Sequence, residues 1–405
     1  MQTVYERCCG LDVHKKLIVA CFRNGKKAEL RKFDTLTCSI KELGNWLLDN
    51  GCQMVAMEST GAYWKPIYNI LELLNLDVMV VNAHHMKNVP GRKTDAKDAE
   101  WVADLLQHGL LKGSYIPDRE QRELREIVRY RKSLIEERTR ELNRLEKTLE
   151  GANIKLSSFV SSLVGASSRK LIEQALVGEV NQDNISDLIH SSMQSKKSEL
   201  LSAMDGVFSP IQKQLVRAIL DHIDDMTRRI KDLDDIIDNQ MKGYEDAIKK
   251  IDEISGIGKR SAEVILSEIG IDMNHFPSDA HISSWSGLCP GNNESAGKRK
   301  SGKTNKGNKH LKSILIQCAK AAQKDEDSFF HAQYQRLVVK RGANRATVAV
   351  AHSMLIAIYH MLKDNVPFKD LGSDYYTKFN AEAKARYYIK KLKELGVSTP
   401  VSLAT

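Results

Sequence analysis

The sequence predicts an α/β N-terminal domain, a middle built of long α-helices and a mostly α C-terminal domain. Three observations predict it. Short strand-like runs near the N-terminus give way to alternating helix and strand patterns, two densely charged stretches carry apolar residues at three- and four-residue steps, and glycine-punctuated helical segments follow residue 250. At 405 residues the chain is too long for one typical core. We place the boundaries at 1–115 for the α/β domain, 116–245 for the helical and oligomerisation region, 246–335 for a third domain and 336–405 for a helical tail.

CCGLDVH, LIVACFR and ELRKF read as three strands of a meander, with a turn at Asn24 and Gly25. Ser39 stands where it would cap an amphipathic helix running to about Asn50. Met54 to Glu58 is a short apolar strand, a second helix carries Ile67, Ile70, Leu71 and Leu74, and Asp77 to Val81 is another apolar run. A third helix starts at Thr94. From 118 to 150, Leu124, Val128, Ile135, Leu142, Leu145 and Leu149 lie near heptad spacing, with Arg131 and Arg138 on the same seam. That is an imperfect coiled coil or a helix packed only in part. A second long helix covers 210–241, where Leu215, Ile219, Ile223, Met226, Ile230, Leu233 and Ile237 recur, and the two helices pair either within a chain or between chains. The serine-rich stretch between them has little periodicity.

Lysine and arginine outnumber aspartate and glutamate 61 to 52, and a pI near 9.0 favours a polyanionic partner over an acidic small molecule. Seven scattered cysteines without a CxxC pair predict no disulfide framework, and the N-terminus lacks the order of a signal peptide. A cytoplasmic protein is expected. The apolar span 346–362 is short of a bilayer crossing and contains His352 and His360, so it is expected to be a buried core helix and no membrane is expected as partner.

Four acids carry the chemistry. Asp12 sits in a strand and Glu58 ends the next buried strand, so both are placed to point from one sheet edge. Asp95 and Asp98 are three residues apart at a helix start, on one face and near the positive end of the helix dipole. Hard carboxylate oxygens in this number suit two Mg2+ ions, with Mn2+ as a substitute, and such ions stabilise the attacking and leaving oxygens of phosphoryl transfer together. Arg92, Lys93 and Lys97 put positive charge beside them, where a phosphate backbone would lie. His14 and His84 or His85 are further ligand candidates, though a histidine beside a strand is more often structural.

ISGIGKRSA, 254–262, matches the turn of a helix-hairpin-helix unit. Gly256 and Gly258 let backbone amides approach a phosphate, and Lys259 and Arg260 follow at the helix start. Then comes WSGLCPGNNESAGKRKSGKTNKGNKHLK, a glycine-rich loop in which Lys298, Arg299, Lys300, Lys303, Lys306 and Lys309 fall in a span, 298–312, that has no acid, with Glu294 just before it. Such a loop suits a nucleic acid backbone. GKRKSGKT, 297–304, satisfies the phosphate-loop pattern letter for letter, but no buried strand precedes it and no apolar helix follows directly, so it is not read as a nucleotide cradle.

GLDVHK, MESTGAYW and GRKTDAKDAEW resemble the N-terminal RuvC-like, RNase H-like DEDD domain of insertion-sequence transposases of the one-ten and eleven-eleven group, over roughly the first third of the chain. The GL-x-P run, the following serine and the basic G-N-rich stretch resemble the C-terminal transposase domain of the same family. The resemblance implies a DNA recombinase in which Asp12, Glu58, Asp95 and Asp98 bind the metal ions. It also implies that Ser295 attacks a DNA phosphate to form a covalent phosphoserine. Family members have serine directly before glycine, whereas Ala296 intervenes here, so Ser301 before Gly302 is the second candidate. It further implies a homodimer or homotetramer, double-stranded donor and target DNA, and an element-encoded bridge RNA. Two other functions fit the same residues: a metal-dependent nuclease of the Holliday-junction type that uses the carboxylates alone, and a non-enzymatic nucleic-acid-binding scaffold.

Overall fold

A strand-forming run that meets a turn folds back on itself, and the first 33 residues do so twice, at His14–Leu17 and at Gly25. The computed structural model describes residues 3–59, 61–82, 98–290, 293–295, 298–301, 304, 306–379 and 381–396. Strands β1 (Arg7–Val13), β2 (Ile18–Asn24) and β3 (Lys27–Phe33) form an antiparallel meander in which Asn24 pairs with Lys27, so Gly25 and Lys26 make the turn. Helix α1 (Thr37–Asp49), β4 (Met54–Glu58), α2 (Trp64–Leu73) and β5 (Val78–Val81) follow. Strand β4 is parallel to β1 and β5 to β4, giving the sheet order β3-β2-β1-β4-β5. The expected meander followed by crossover strands is therefore a mixed sheet. Ser39 does not cap α1: it is the third residue of the helix, and Leu36 occupies the cap position without a side-chain hydrogen bond.

Period-two alternation splits the strand residues between two faces. On one, Leu11, Val55 and Met57 pack with Ile40, Leu43 and Leu47 of α1 and with Ile67 and Leu71 of α2. On the other, Cys8, Ala56 and Val81 meet Val102, Leu105 and Leu106 of α3 (Asp98–Gln107). Helix α3 lies directly on β1. A Cβ at Gly10 would stand 2.3 Å from the backbone nitrogen of Ala103 and 2.4 Å from the carbonyl oxygen of Ala99.

The chain divides into two compact units, Met1–Arg119 and Glu120–Thr405. The second is helical. After α4 (Arg119–Gly151), the helices α5 (Ala166–Val177), α6 (Ile185–Leu188) and α7 (Lys197–Ala203) occupy the serine-rich interval, and α8 (Pro210–Gln240) starts at a capping box between Ser209 and Gln212. Helices α4 and α8 pair within the chain as an antiparallel hairpin. Arg131 ion-pairs with Asp234, Arg138 donates to the Thr227 hydroxyl at 3.2 Å, and His222 lies 3.4 Å from Glu141. Leu145 and Leu149 share a core with Val216, Leu220 and Ile223. The arginines that interrupt the apolar seam of α4 thus meet polar partners on the facing helix.

The rest of the unit comprises α9 (Glu245–Asp252), α10 (Lys259–Ile269), α11 (Asp279–Ser286), the strands β6 (Asn293–Ser295) and β7 (Lys298–Ser301), then α12 (Lys309–Ala322), α13 (Phe329–Arg341), α14 (Ala343–Lys363), α15 (Tyr375–Lys378) and α16 (Ala381–Glu394). Helix α14 is the apolar span of the sequence and is long and apolar enough to cross a membrane. Here it is packed against α12 and α13, with Val350, Met354, Leu355 and Ile358 fully buried.

A buried ionic cluster joins α4 to α10. Arg129 donates from Nε and Nη2 to the two carboxylate oxygens of Glu268, each at 2.7 Å. Arg125 lies 3.6 Å from the same carboxylate and donates to the Ser267 carbonyl at 3.1 Å and to the Glu268 carbonyl. These contacts also satisfy free carbonyls at the C-terminal end of α10, where positive charge is favoured. Burial pushes the Glu268 carboxyl up, but the hydrogen bonds and charges of Arg129, Asn308 and Arg125 outweigh it and hold the group below its ordinary 4.5.

Gly10→Ala is expected to cost about 3 kcal/mol, because helix backbone rather than a flexible side chain must retreat; a denaturant titration of the pure protein checks it. A depressed carboxyl contributes stability that is present above its unfolded value and is lost as pH falls through the folded one. Thermal melting of the wild type should therefore weaken as pH drops below 4.5. Glu268→Gln should show a shallower acid dependence, and at neutral pH should be less stable by about 3 kcal/mol because two guanidiniums lose their counter-ion.

Candidate functional site

The acids named from sequence fall at one end of the mixed sheet. Leu11 of β1 pairs with Met57 of β4 in parallel register, so Asp12 and Glu58 are the next residues on adjacent strands. Alternation assigns both to the face that carries Cys8, Gly10 and Ala56, the face under α3. The direction of α3 places the third acid. Cys8 donates through Sγ to the Ala103 carbonyl at 3.7 Å while Gly10 abuts Ala99, so the helix runs opposite to β1 and its first described residue, Asp98, lies beside the carboxyl ends of β1 and β4. Asp12, Glu58 and Asp98 therefore share one edge and one face.

Asp12 is also in contact with His14, whose Nε2 lies 3.0 Å from Oδ2, in an exposed pair. Among the described residues, no three His, Cys, Asp or Glu side chains are gathered as a metal-binding cluster. Asp95, Arg92, Lys93 and Lys97, together with His84 and His85, lie outside the described residues. The chemistry of Asp12, Glu58 and Asp98 still fits a hard divalent cation, since each offers carboxylate oxygens from rigid elements at a common sheet end. The thiols beside them do not compete. Burial first, then the neighbouring thiol of Cys52, pushes Cys8 up to about 12, which keeps it protonated and unreactive.

The Gly256–Gly258 turn joins α9 to α10. Gly256 has φ +84°, and a Cβ there would lie 2.5 Å from the Ala322 nitrogen and the Cys318 carbonyl oxygen, so the turn is packed against α12. Gly258 is the cap residue of α10 and faces open space. Lys259 and Arg260 are engaged within the chain: Lys259 lies 3.3 Å from Asp238, while Arg260 lies 3.0 Å from Asp238 and 2.8 Å from Glu263. Their charges are balanced by acids at the end of α8 and on α10. The sequence places the cations correctly on the first turn of a helix, and the spacing to Glu263 is that of a helical i,i+3 and i,i+4 pair, but it cannot reveal Asp238, which lies 22 residues before Arg260.

The serine segment is a β-hairpin rather than a loop. Strand β6 pairs with β7, with Ser295 opposite Lys298 and Asn293 opposite Ser301, so Ser295 borders the turn and Ser301 lies toward the open end. Lys298, Arg299 and Lys300 are residues of β7, Lys306 and Lys309 are exposed beyond it, and Lys303 lies outside the described residues. Pro290 bridges to Thr304, closing the hairpin.

At the root of this hairpin stands a cluster that sequence reasoning missed. Asn308 caps α12, its Oδ1 accepting from the amides of His310 at 3.0 Å and Leu311 at 3.1 Å, while its Nδ2 donates to Glu268 at 2.7 Å. Lys312 donates to the Gly287 carbonyl at 2.9 Å and to the Thr304 hydroxyl, and burial lowers its pKa. An asparagine before the apolar run HLKSILI is a legible capping signal. The link to Glu268 crosses 40 residues and has no signature in the sequence.

Residues 9–154 match a family model for DEDD transposases of the IS110 type, and residues 248–335 match the model described as the Transposase IS116/IS110/IS902 family. The first match contains Asp12, Glu58, Asp95 and Asp98, and the second contains Gly256, Gly258, the hairpin and Asn308. Over 360 residues the chain is 24% identical to a probable family 20 transposase of Pseudomonas aeruginosa, covering 87% of this chain and 92% of that protein. The chain therefore carries the transposase domains of the IS110/IS116 family and is an enzyme of DNA transposition.

Proposed function

We propose that this transposase cuts and exchanges DNA strands through a serine–phosphate intermediate on an RNase H-like scaffold. The observation that supports the reading is the placement of Asp12, Glu58 and Asp98 at one edge and on one face of the sheet, with Asp95 assigned to the same centre from its place in the sequence. When bound, Mg2+ would supply the positive charge that stabilises the attacking and leaving oxygens. The carboxylates hold and orient that charge.

Ser295 is assigned as the nucleophile and Ser301 as the second candidate. The serine Oγ attacks a DNA phosphorus, a new O–P bond forms, the bond to one bridging deoxyribose oxygen breaks, and that oxygen leaves as a hydroxyl after taking up a proton. The serine proton passes to solvent or to a carboxylate. In strand exchange, a free hydroxyl of the partner strand attacks the phosphoserine and releases the enzyme. Lys298, Arg299 and Lys300 on β7, with Lys303, Lys306 and Lys309 after it, are assigned to the phosphate backbone and to the charge that develops on the attacked phosphate. The turn residues Gly256 and Gly258 hold the backbone through their amides.

The substrates in this reading are double-stranded donor and target DNA, brought together in a homodimer or homotetramer and selected by base pairing with an element-encoded bridge RNA. The RNA rests on the likeness to the one-ten and eleven-eleven group.

The test is covalent trapping of the full chain, with its co-purified RNA, on supercoiled DNA in magnesium. Asp12→Asn should lower strand exchange by at least about 10^3-fold, as expected for a group that stabilises the transition state. Ser295→Ala should abolish the protein–DNA adduct seen on a denaturing gel, while leaving DNA affinity within about twofold. Exchange that persists in both Ser295→Ala and Ser301→Ala but not in Asp12→Asn would mean that the carboxylates act alone, as in a nuclease.

A further inference from the structure

Two legs carry the β6–β7 hairpin, and both are clamped at one place. The outgoing leg leaves α11 at Gly287, and the returning leg passes Thr304 and Gly307 before α12 begins. A Cβ on Gly307 would stand 2.3 Å from the Gly287 nitrogen, so the legs touch backbone to backbone. Lys312 ties the same two legs by donating to the Gly287 carbonyl and to the Thr304 hydroxyl. Asn308 sits at the centre of this root: its amide donates to the Trp285 carbonyl at 3.0 Å, Oδ1 caps α12, and Nδ2 is spent on Glu268.

Glu268 is in turn fixed from outside the hairpin. Its side chain is 1% exposed, the bidentate contact with Arg129 sets the plane of the carboxylate, and Arg125 closes the remaining side. Arg125 also lies over the Trp285 ring, 5.6 Å from its centroid, so α4 grips both residues to which Asn308 is bonded. A cluster of this kind is a poor source of stability compared with well-packed apolar side chains, but it is directional: each bond fixes an angle as well as a distance.

We propose that Glu268 is a positioning residue for strand exchange, holding the root of the β6–β7 hairpin through Asn308 so that the nucleophilic serine is presented in one orientation. The inference rests on the assignment of the nucleophile to Ser295 or Ser301. A hairpin of this length transmits small rotations at its root to its tip, where Ser295 borders the turn. A misplacement of about 1 Å at a reacting atom can cost about 10^2-fold in rate.

Asn308→Ser separates the two roles of the asparagine. Serine caps a helix well, so α12 is kept, but its hydroxyl is too short to reach Glu268. In the full-length protein, with co-purified RNA and magnesium, the rate of adduct formation at saturating DNA should fall at least about tenfold in Asn308→Ser, while its melting temperature falls less than in Asn308→Ala, which also loses the helix cap, and its DNA affinity stays at the wild-type value. Asn308→Ala should lose the same rate. Hydrogen exchange at the β6 and β7 amides should speed up in Asn308→Ser, and this readout needs no chemistry. A wild-type adduct rate together with unchanged hairpin exchange in Asn308→Ser would overturn the proposal. Loss of the serine assignment is distinguishable from this: adduct would then persist in Ser295→Ala and Ser301→Ala, and hairpin exchange in Asn308→Ser alone would decide whether Glu268 positions the segment.

Discussion

The absence of a side chain at Gly10 sets the distance between β1 and α3, and the acidic end of the first unit follows from that distance. With a Cβ at this position helix backbone would have to move, because the contacts are to the nitrogen of Ala103 and the oxygen of Ala99. Direct backbone packing brings the Ala99–Ala103 turn of α3 against the sheet and places Asp98 beside the strand ends that bear Asp12 and Glu58. The parallel pairing of β1 with β4 contributes the other half, because register alone makes Asp12 and Glu58 neighbours.

In the second unit polar contacts perform the aligning task. Helices α4 and α8 share an apolar core near the far end of their hairpin, around Leu145, Leu149, Val216 and Leu220. Farther along, register is kept by Arg131 with Asp234 and by Arg138 with Thr227. The base of α4 then uses Arg125 and Arg129 to hold Glu268, and through it Asn308. Long cationic side chains reach across where an apolar contact would specify neither angle nor partner.

The two candidate regions are built by opposite means. The carboxylates stand on strands and a helix end whose positions are set by sheet register and close packing. The serine hairpin is a short two-stranded ribbon, and such a ribbon is marginal by itself in water. Its clamped root, formed by Gly287, Gly307, Asn308 and Lys312, supplies the order that the ribbon lacks.

The sequence by itself determined the mixed α/β start, the two long helices, the buried nature of α14 and the places of Asp12, Glu58 and Asp98, because periodicity and chain order are local properties of the residues. It also marked the basic segment around Lys298–Lys309, since charge concentration needs no fold to be seen. Tertiary structure alone decided that α4 pairs with α8 inside one chain, that Lys259 and Arg260 are matched by Asp238, and that the serine segment is a hairpin. It alone joined Glu268 to Arg129, 139 residues away, and to Asn308. Contacts of that kind depend on which faces meet when the helices pack, and one chain's alternation of polar and apolar residues carries no record of the partner across the interface.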